Sequence, residues 1–176
     1  RRLRSHGMTS SSWEKGCGRH PRYDVVEIGF NFRFDDIRAS IGLAQLRKLD
    51  DINRRREDLV SYYNVRIKTD LPDLVLPLAA VTPERNPSYH IYPILLATAE
   101  ERDRMEGHLG QAGIQTSIHY RPVHQLSAFR RLFPDVSLPM TEAYGVRELT
   151  LPLYPSLLPT QIDTIVDSMV HACMHR

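Results

Sequence analysis

Two groups of side chains in this sequence have the types and spacing that chemistry needs. His119, Tyr120 and His124 place two imidazoles and a phenol around the stiff Arg121–Pro122 pair, after a run of β-forming residues. Imidazoles and phenols donate and accept hydrogen bonds, and histidine titrates near neutral pH. Side chains at the end of a strand, held by a rigid sheet, are frequent sites of function. The second group is Asn31 and Arg33, interleaved with Phe30, Phe32 and Phe34 just ahead of Asp35 and Asp36. Asp35 or Asp36 can cap a following helix, and the remaining first-turn donors and positive dipole end suit an anion such as a phosphate. Alone, that second group also fits an ordinary capped helix. Cys17 and His20 have a spacing that can hold metal, with His6 as a third ligand, but a fourth ligand is not evident and no metal site is assigned.

The elements that must position these groups are legible in outline. Residues 5–28 are rich in Ser, Gly and charge and read as a loop leading into a short extended piece at Val25, Val26 and Ile28. From Asp36 to about Thr69 apolar residues recur at mostly helical intervals with no proline, which predicts one long helix with Gly42 as the candidate bend. Its middle, around Arg54, Arg55 and Arg56, is polar nearly all round, as in helices that bridge domains through solvent. Pro72 ends it. Beyond lie a short strand at residues 74–76, a strand at 89–96 with Pro93 marking an edge or bulge, and a helix over 100–112 with Met105 and Leu109 inward and Gly113 at its cap. A second strand follows at 114–120, then a helix at 139–149, an extended segment at 151–155, and a last helix capped by Thr160. The β-α-β order predicts a small α/β sandwich with helices packed on a sheet.

Composition narrows the classes. The 176 residues are 41% hydrophobic and 25% charged with a formal net charge of +2, enough for one ordinary domain with a real core. The basic residues Arg54, Arg55 and Arg56 have acidic neighbours on both sides and no recognised nucleic-acid module accompanies them, so a nucleic-acid partner is not expected. Two cysteines give no disulfide framework and suit a reducing compartment. No run approaches the length of a membrane span and no signal-like segment opens the chain, so a cytoplasmic location without membrane attachment is expected.

The stretch GFNFRFDDIRASIGLAQLRKLDDINRRRED, residues 29–58, resembles the signature of the DegT/DnrJ/StrS sugar aminotransferases, which are pyridoxal phosphate (PLP) enzymes of fold type I. The family commonly has Tyr and Met where this chain has Phe32 and Phe34. Three further blocks agree in order: the opening LRSHG, IHYRPVHQLSAF and LTLPLYPSL. A resemblance carried by four ordered blocks is far more specific than a short motif. It implies the C-terminal half of such an enzyme, since the chain is too short for a complete fold type I protein and starts without Met. On this reading residues 1–71 are the tail of the large PLP-binding domain with the connecting helix, and residues 72–176 are the small C-terminal α/β domain.

The resemblance further implies a homodimer in which Asn31 hydrogen-bonds the PLP phosphate of the partner subunit. Arg33, His119, Tyr120, His124, His6 and Tyr23 are implied to border a nucleotide-sugar substrate or its amino donor, in binding rather than catalytic roles. The reaction implied moves an amino group, usually from glutamate, to a keto sugar attached to a nucleotide. It needs a Schiff-base lysine, and none of Lys15, Lys48 and Lys68 matches the family's lysine motif. No catalytic residue is therefore assigned, and the chain alone is expected to be inactive. A sugar dehydratase of the same family, with histidine in place of that lysine, and a non-catalytic nucleotide-sugar-binding paralogue are the alternatives. A basic nucleic-acid module ranks last. The apolar side of the helix over residues 37–49, deprived of a large domain, is expected to drive self-association.

Overall fold

The computed structural model of the chain describes residues 2–9, 17, 24–32, 34–79 and 87–174. It divides into two compact units, Arg1–Leu49 and Asp50–Arg176. The division falls earlier than the 71/72 boundary expected from the sequence. Leu59, Val60, Tyr63 and Ile67, from the second half of the anticipated connecting helix, are buried in the core of the second unit.

In the first unit, residues 3–9 and 24–32 run antiparallel through isolated bridges between Ser5 and Asn31 and between Met8 and Val25. Two glycines allow the close approach. A Cβ on Gly7, whose φ is +67°, would sit 1.8 Å from the Glu27 carbonyl oxygen, and one on Gly29 would sit 2.3 Å from the Gly7 nitrogen. Helix α1 (Asp36–Leu46) follows. Of the two candidate caps Asp35 is the one used: its carboxylate accepts the Arg38 backbone N–H at 2.8 Å. No residue of α1 is buried, and Ile37, Ile41 and Leu46 stay largely exposed, as do Phe30, Phe32 and Phe34.

The single long helix expected from Asp36 to Thr69 is two helices. The chain turns at Arg47 and Lys48, not at Gly42, and the Lys48 N–H bonds Gln45 O at 3.0 Å in a tightened i−3 pattern. Helix α2 (Leu49–Asp70) then supplies one apolar stripe at Leu59, Val60, Tyr63 and Ile67.

The second unit is built on an antiparallel pair, β1 (Tyr92–Leu95) with β2 (Glu148–Leu151), in the register Tyr92 to Leu151 and Leu95 to Glu148. Single bridges extend the sheet on both sides, Val75 to Leu95 and Ser117 to Thr150. This corrects the sequence reading in three places. The strong strand expected at 114–120 is reduced to the Ser117 bridge, residues 74–76 to the Val75 bridge, and the true second strand occupies 148–151, overlapping the end of the helix expected at 139–149. Pro93 is tolerated because its partner Thr150 directs its own N–H and C=O away, to Ser117 at 2.7 and 3.1 Å.

Around the sheet lie α3 (Ala99–Gln111), a 3-10 turn (Val123–Gln125), α4 (Ser127–Leu132), α5 (Pro139–Gly145) and α6 (Pro159–Met174). Thr98 caps α3, and Gly113, at φ +75°, lets the Ile114 N–H reach back to Leu109 O at 2.8 Å. Thr160 lies inside α6 rather than capping it, because Pro159 takes the first helical position and the Thr164 hydroxyl bonds Thr160 O. The core joins the α2 stripe to Met105 and Leu109 of α3, Tyr92 and Ile94 of β1, Leu149 and Leu151 of β2, and Ile162, Ile165, Val166 and Met169 of α6. Tyr63 and Tyr92 stack at 4.5 Å, and burial pushes both phenols well above their ordinary pKa. Arg66 joins α2 to α6, pairing with Asp163 and with Asp167 at 2.8 Å.

Ile162 is fully buried where α6 meets the core. Ile162→Ala is expected to destabilise the second unit by about 2–5 kcal/mol, from lost transfer free energy plus the cavity left behind. Urea unfolding measures this, and a loss under about 0.5 kcal/mol, typical of a surface change, would show the position is not packed as described.

Candidate functional site

In the first unit His6 and Asn31 line one open cleft of about 310 Å³ together with Arg4, Ser5, Met8, Phe32 and Phe34. The antiparallel pairing creates it. The Ser5–Asn31 bridge sets the two strands side by side, the His6 N–H bonds Phe30 O, and the Phe32 N–H bonds Arg4 O, both at 2.9 Å. His6 itself adopts φ 58°, a left-handed conformation uncommon for a residue with a side chain, which turns the strand at the cleft. Arg4, Ser5 and Asn31 bring a guanidinium, a hydroxyl and a carboxamide to one place, a donor set that suits a phosphate. Arg4 and Ser5 were not anticipated as site residues; their place beside His6 in LRSHG was the available signal. Arg33 and Tyr23, also expected at the site, lie outside the described residues, as does Lys15.

In the second unit the sheet brings His119 and Tyr120 together. Their rings meet edge to face at 4.8 Å, and the Tyr120 side of the pair is open, with the residue 67% exposed. The peptide bond between them is cis. His119 is held from β2. Its backbone N–H donates to Glu148 Oε2 at 2.8 Å, and its Nδ1 lies 3.0 Å from Thr150 Oγ1 and 3.3 Å from Ser117 Oγ. Thr150 Oγ1 in turn donates to Glu148 Oε1 in a short hydrogen bond. Sequence reading missed Glu148 and Thr150. Their signal is the period-two polar pattern in ELTL, obscured where the helix expected at 139–149 runs over residue 148.

His124 is placed differently. Its Nε2 lies 2.8 Å from Glu142 Oε1, and with its side chain 11% exposed it offers that nitrogen to Glu142 rather than to a ligand. The same Glu142 oxygen accepts the Leu138 N–H at 2.8 Å, near the start of α5. The pair borders a polar cleft of about 410 Å³ that Arg121 and Arg130 also line. Cys17 is exposed, and among the described residues no cluster of three or more His, Cys, Asp and Glu could hold a metal ion. No helix among them is long and apolar enough to cross a membrane.

The Leu138 N–H, and after it His124, hold the Glu142 carboxyl below the ordinary carboxylate value. A folded-state pKa below the unfolded one means that Glu142 contributes stability above about 4.5, which is lost as pH falls through the folded value. The gap in urea midpoint between the parent chain and Glu142→Gln is therefore expected to be open at neutral pH and to close well below that value. A gap independent of pH would refute the assignment.

The chain matches the DegT/DnrJ/EryC1/StrS aminotransferase family over residues 1–170. Among solved structures it is similar to Helicobacter pylori PseC, an aminotransferase involved in the biosynthesis of pseudoaminic acid, at 26% identity and a TM-score of 0.79, covering 99% of this chain and 45% of that one. It is similar to the PMP form of the sugar aminotransferase Spr1654 of Streptococcus pneumoniae at 28% identity and a TM-score of 0.78, covering 99% and 44%. Spr1654 is also known in a PLP form. DesV of S. venezuelae aligns at 29% identity and a TM-score of 0.77, covering 97% of this chain and 42% of that one. The chain thus spans less than half the length of these relatives and shares the α/β fold of the part it covers. With four ordered sequence blocks, a match over nearly all its length and this common fold, the chain is a member of the DegT/DnrJ/EryC1/StrS aminotransferase family.

Proposed function

We propose that this chain is part of a PLP-dependent sugar aminotransferase, one that moves an amino group from glutamate to a nucleotide-linked keto sugar in the cytoplasm. The observation that carries this reading is the cleft lined by Arg4, Ser5, His6 and Asn31, a phosphate-compatible donor set drawn from two of the sequence blocks that resemble the family, within the residues that match it. The PLP form of Spr1654 supports the cofactor, and the named sugar aminotransferases support the substrate class. Asn31 holds the cofactor phosphate, with Ser5 and Arg4 adding donors. When bound, PLP supplies the electron sink for amino transfer. His6, Tyr23 and Arg33 border the substrate or the amino donor, where a guanidinium's planar fork suits phosphate or carboxylate.

His119 and Tyr120 bind the sugar portion, with His119 oriented from beneath by β2. His124 contributes by bracing Glu142 and the polar cleft beside Arg121, since its Nε2 is already engaged. The lysine that carries the cofactor belongs to a part of the full-length protein other than this chain, which leaves the isolated chain inactive. The exposed row of Phe30, Phe32, Phe34, Ile37 and Ile41 supports a homodimer in which Asn31 serves the partner subunit's cofactor.

Two measurements test this reading. The full-length protein is expected to show the absorbance of bound PLP, and Asn31→Ala to weaken cofactor retention about tenfold, the equivalent of one charge-assisted hydrogen bond. Absence of bound PLP under neutral, reducing conditions would overturn the aminotransferase reading. In light scattering the isolated chain is expected to form dimers or larger species at all accessible concentrations, and a monomer throughout would remove the support for the apolar row as an interface.

A further inference from the structure

The polar side of the sheet carries an arrangement that assigns a proton. Ser117 pairs directly with Thr150 across an antiparallel bridge, so His119, two residues on, stands opposite Glu148, two residues back. All four side chains lie on the face opposite Leu149 and Leu151, whose side chains enter the apolar core. Glu148 is fully buried. Its Oε2 accepts the His119 N–H and its Oε1 accepts the Thr150 hydroxyl.

A hydroxyl has one proton. Thr150 commits its proton to Glu148, so it turns only lone pairs toward His119 Nδ1, 3.0 Å away. A bare Nδ1 would set lone pair against lone pair. Nδ1 therefore carries the ring proton and donates to Thr150 Oγ1, with Ser117 Oγ, at 3.3 Å, a weaker second acceptor. Among the described residues Nε2 has no hydrogen-bond partner, and in the neutral ring it is an acceptor.

We propose that Glu148, acting through Thr150, is a positioning residue that fixes His119 in its Nδ1–H tautomer and so presents Nε2 as an acceptor to a hydroxyl of the bound sugar. The tautomer follows from the Thr150 hydroxyl's donation to Glu148; the identity of the ligand rests on the aminotransferase reading. An acceptor at this point favours a ligand hydroxyl and disfavours a phosphate oxygen, which brings no proton of its own. The relay works from the buried side of the sheet, so substrate never touches Glu148 or Thr150.

The test is the tautomer of His119, read by NMR in the full-length protein with isotope-labelled histidine at a pH where the ring is neutral, and assigned by loss of its signal in His119→Gln. Nδ1–H is expected. Glu148→Gln inverts it: the amide carbonyl must stay on the His119 N–H, which turns the NH2 group toward Thr150 and frees the threonine proton to point at Nδ1, leaving the ring proton on Nε2. Should that variant fail to fold, the nearly isosteric Thr150→Val removes the acceptor and is likewise expected to move the proton to Nε2, whereas Ser117→Ala leaves it on Nδ1. A merely structural Glu148 would not invert a tautomer. Nε2–H in the parent protein, or Nδ1–H in both the Glu148 and Thr150 variants, overturns the relay.

In the same protein Glu148→Gln is expected to raise KM for the nucleotide-linked keto sugar about tenfold with kcat within a factor of about three, the loss of one ligand hydrogen bond. An inverted tautomer with unchanged KM would remove the acceptor role. If the full-length protein binds no PLP while the tautomer inverts as described, the functional reading falls and the relay stands.

Discussion

Everything in the second unit depends on the two-residue alternation of a strand buried on both faces. In β2, Leu149 and Leu151 enter the core between the helices, while Glu148 and Thr150 face the segment that carries His119. A doubly buried strand is ordinarily a continuous apolar run. Placing a carboxylate there is costly unless hydrogen bonds satisfy it. Glu148 meets that condition with one backbone and one side-chain donor, so the group that threatens the fold is also the one that orders the histidine above it. Stability and the placement of His119 are joined at one residue.

The first unit is organised by a different constraint. Among its described residues it buries little apolar surface, and they are held by backbone pairing and by two glycines whose main chains nearly touch. That close contact turns the strand at His6 and Asn31 and leaves the phenylalanines outside. An open polar cleft beside an exposed apolar row is the kind of surface that the proposed homodimer would cover. The second unit, by contrast, has a core drawn from three helices and both strands, with the Tyr63–Tyr92 stack at its centre.

How much of this could be read from sequence depends on whether the signal was local. The α3 and α6 helices were legible because Met105, Leu109, Ile162, Ile165, Val166 and Met169 recur at helical spacing and are the residues that bury. The cleft residues His6 and Asn31 were legible through ordered motif blocks, not through any periodicity. The sheet was read less well. Residues 114–120 have strong β character, yet only Ser117 pairs, because the chain diverges after one bridge to bring its histidine over β2. β2 itself was partly hidden: Pro139 opens a helix that stops at Gly145, where a Cβ would lie 2.7 Å from the Pro122 ring, a tertiary approach that no local pattern announces. The break at Arg47 and Lys48 likewise lacks the Gly or Pro that usually marks one. The Glu148 relay was invisible for the same reason, being made of partners 29 and 31 residues apart in sequence.

Pro93 limits which strand pairings the chain can adopt. Its ring has no N–H, and it sits where the ladder asks for none. Sliding β1 by one position along β2 would move the proline into a place where a donor is required. It would also turn Tyr92 and Ile94 out of the core and press Pro93 and Leu95 into it. The proline therefore acts as a ratchet on strand alignment, penalising the nearest wrong pairing and keeping Tyr92 and Ile94 in the core.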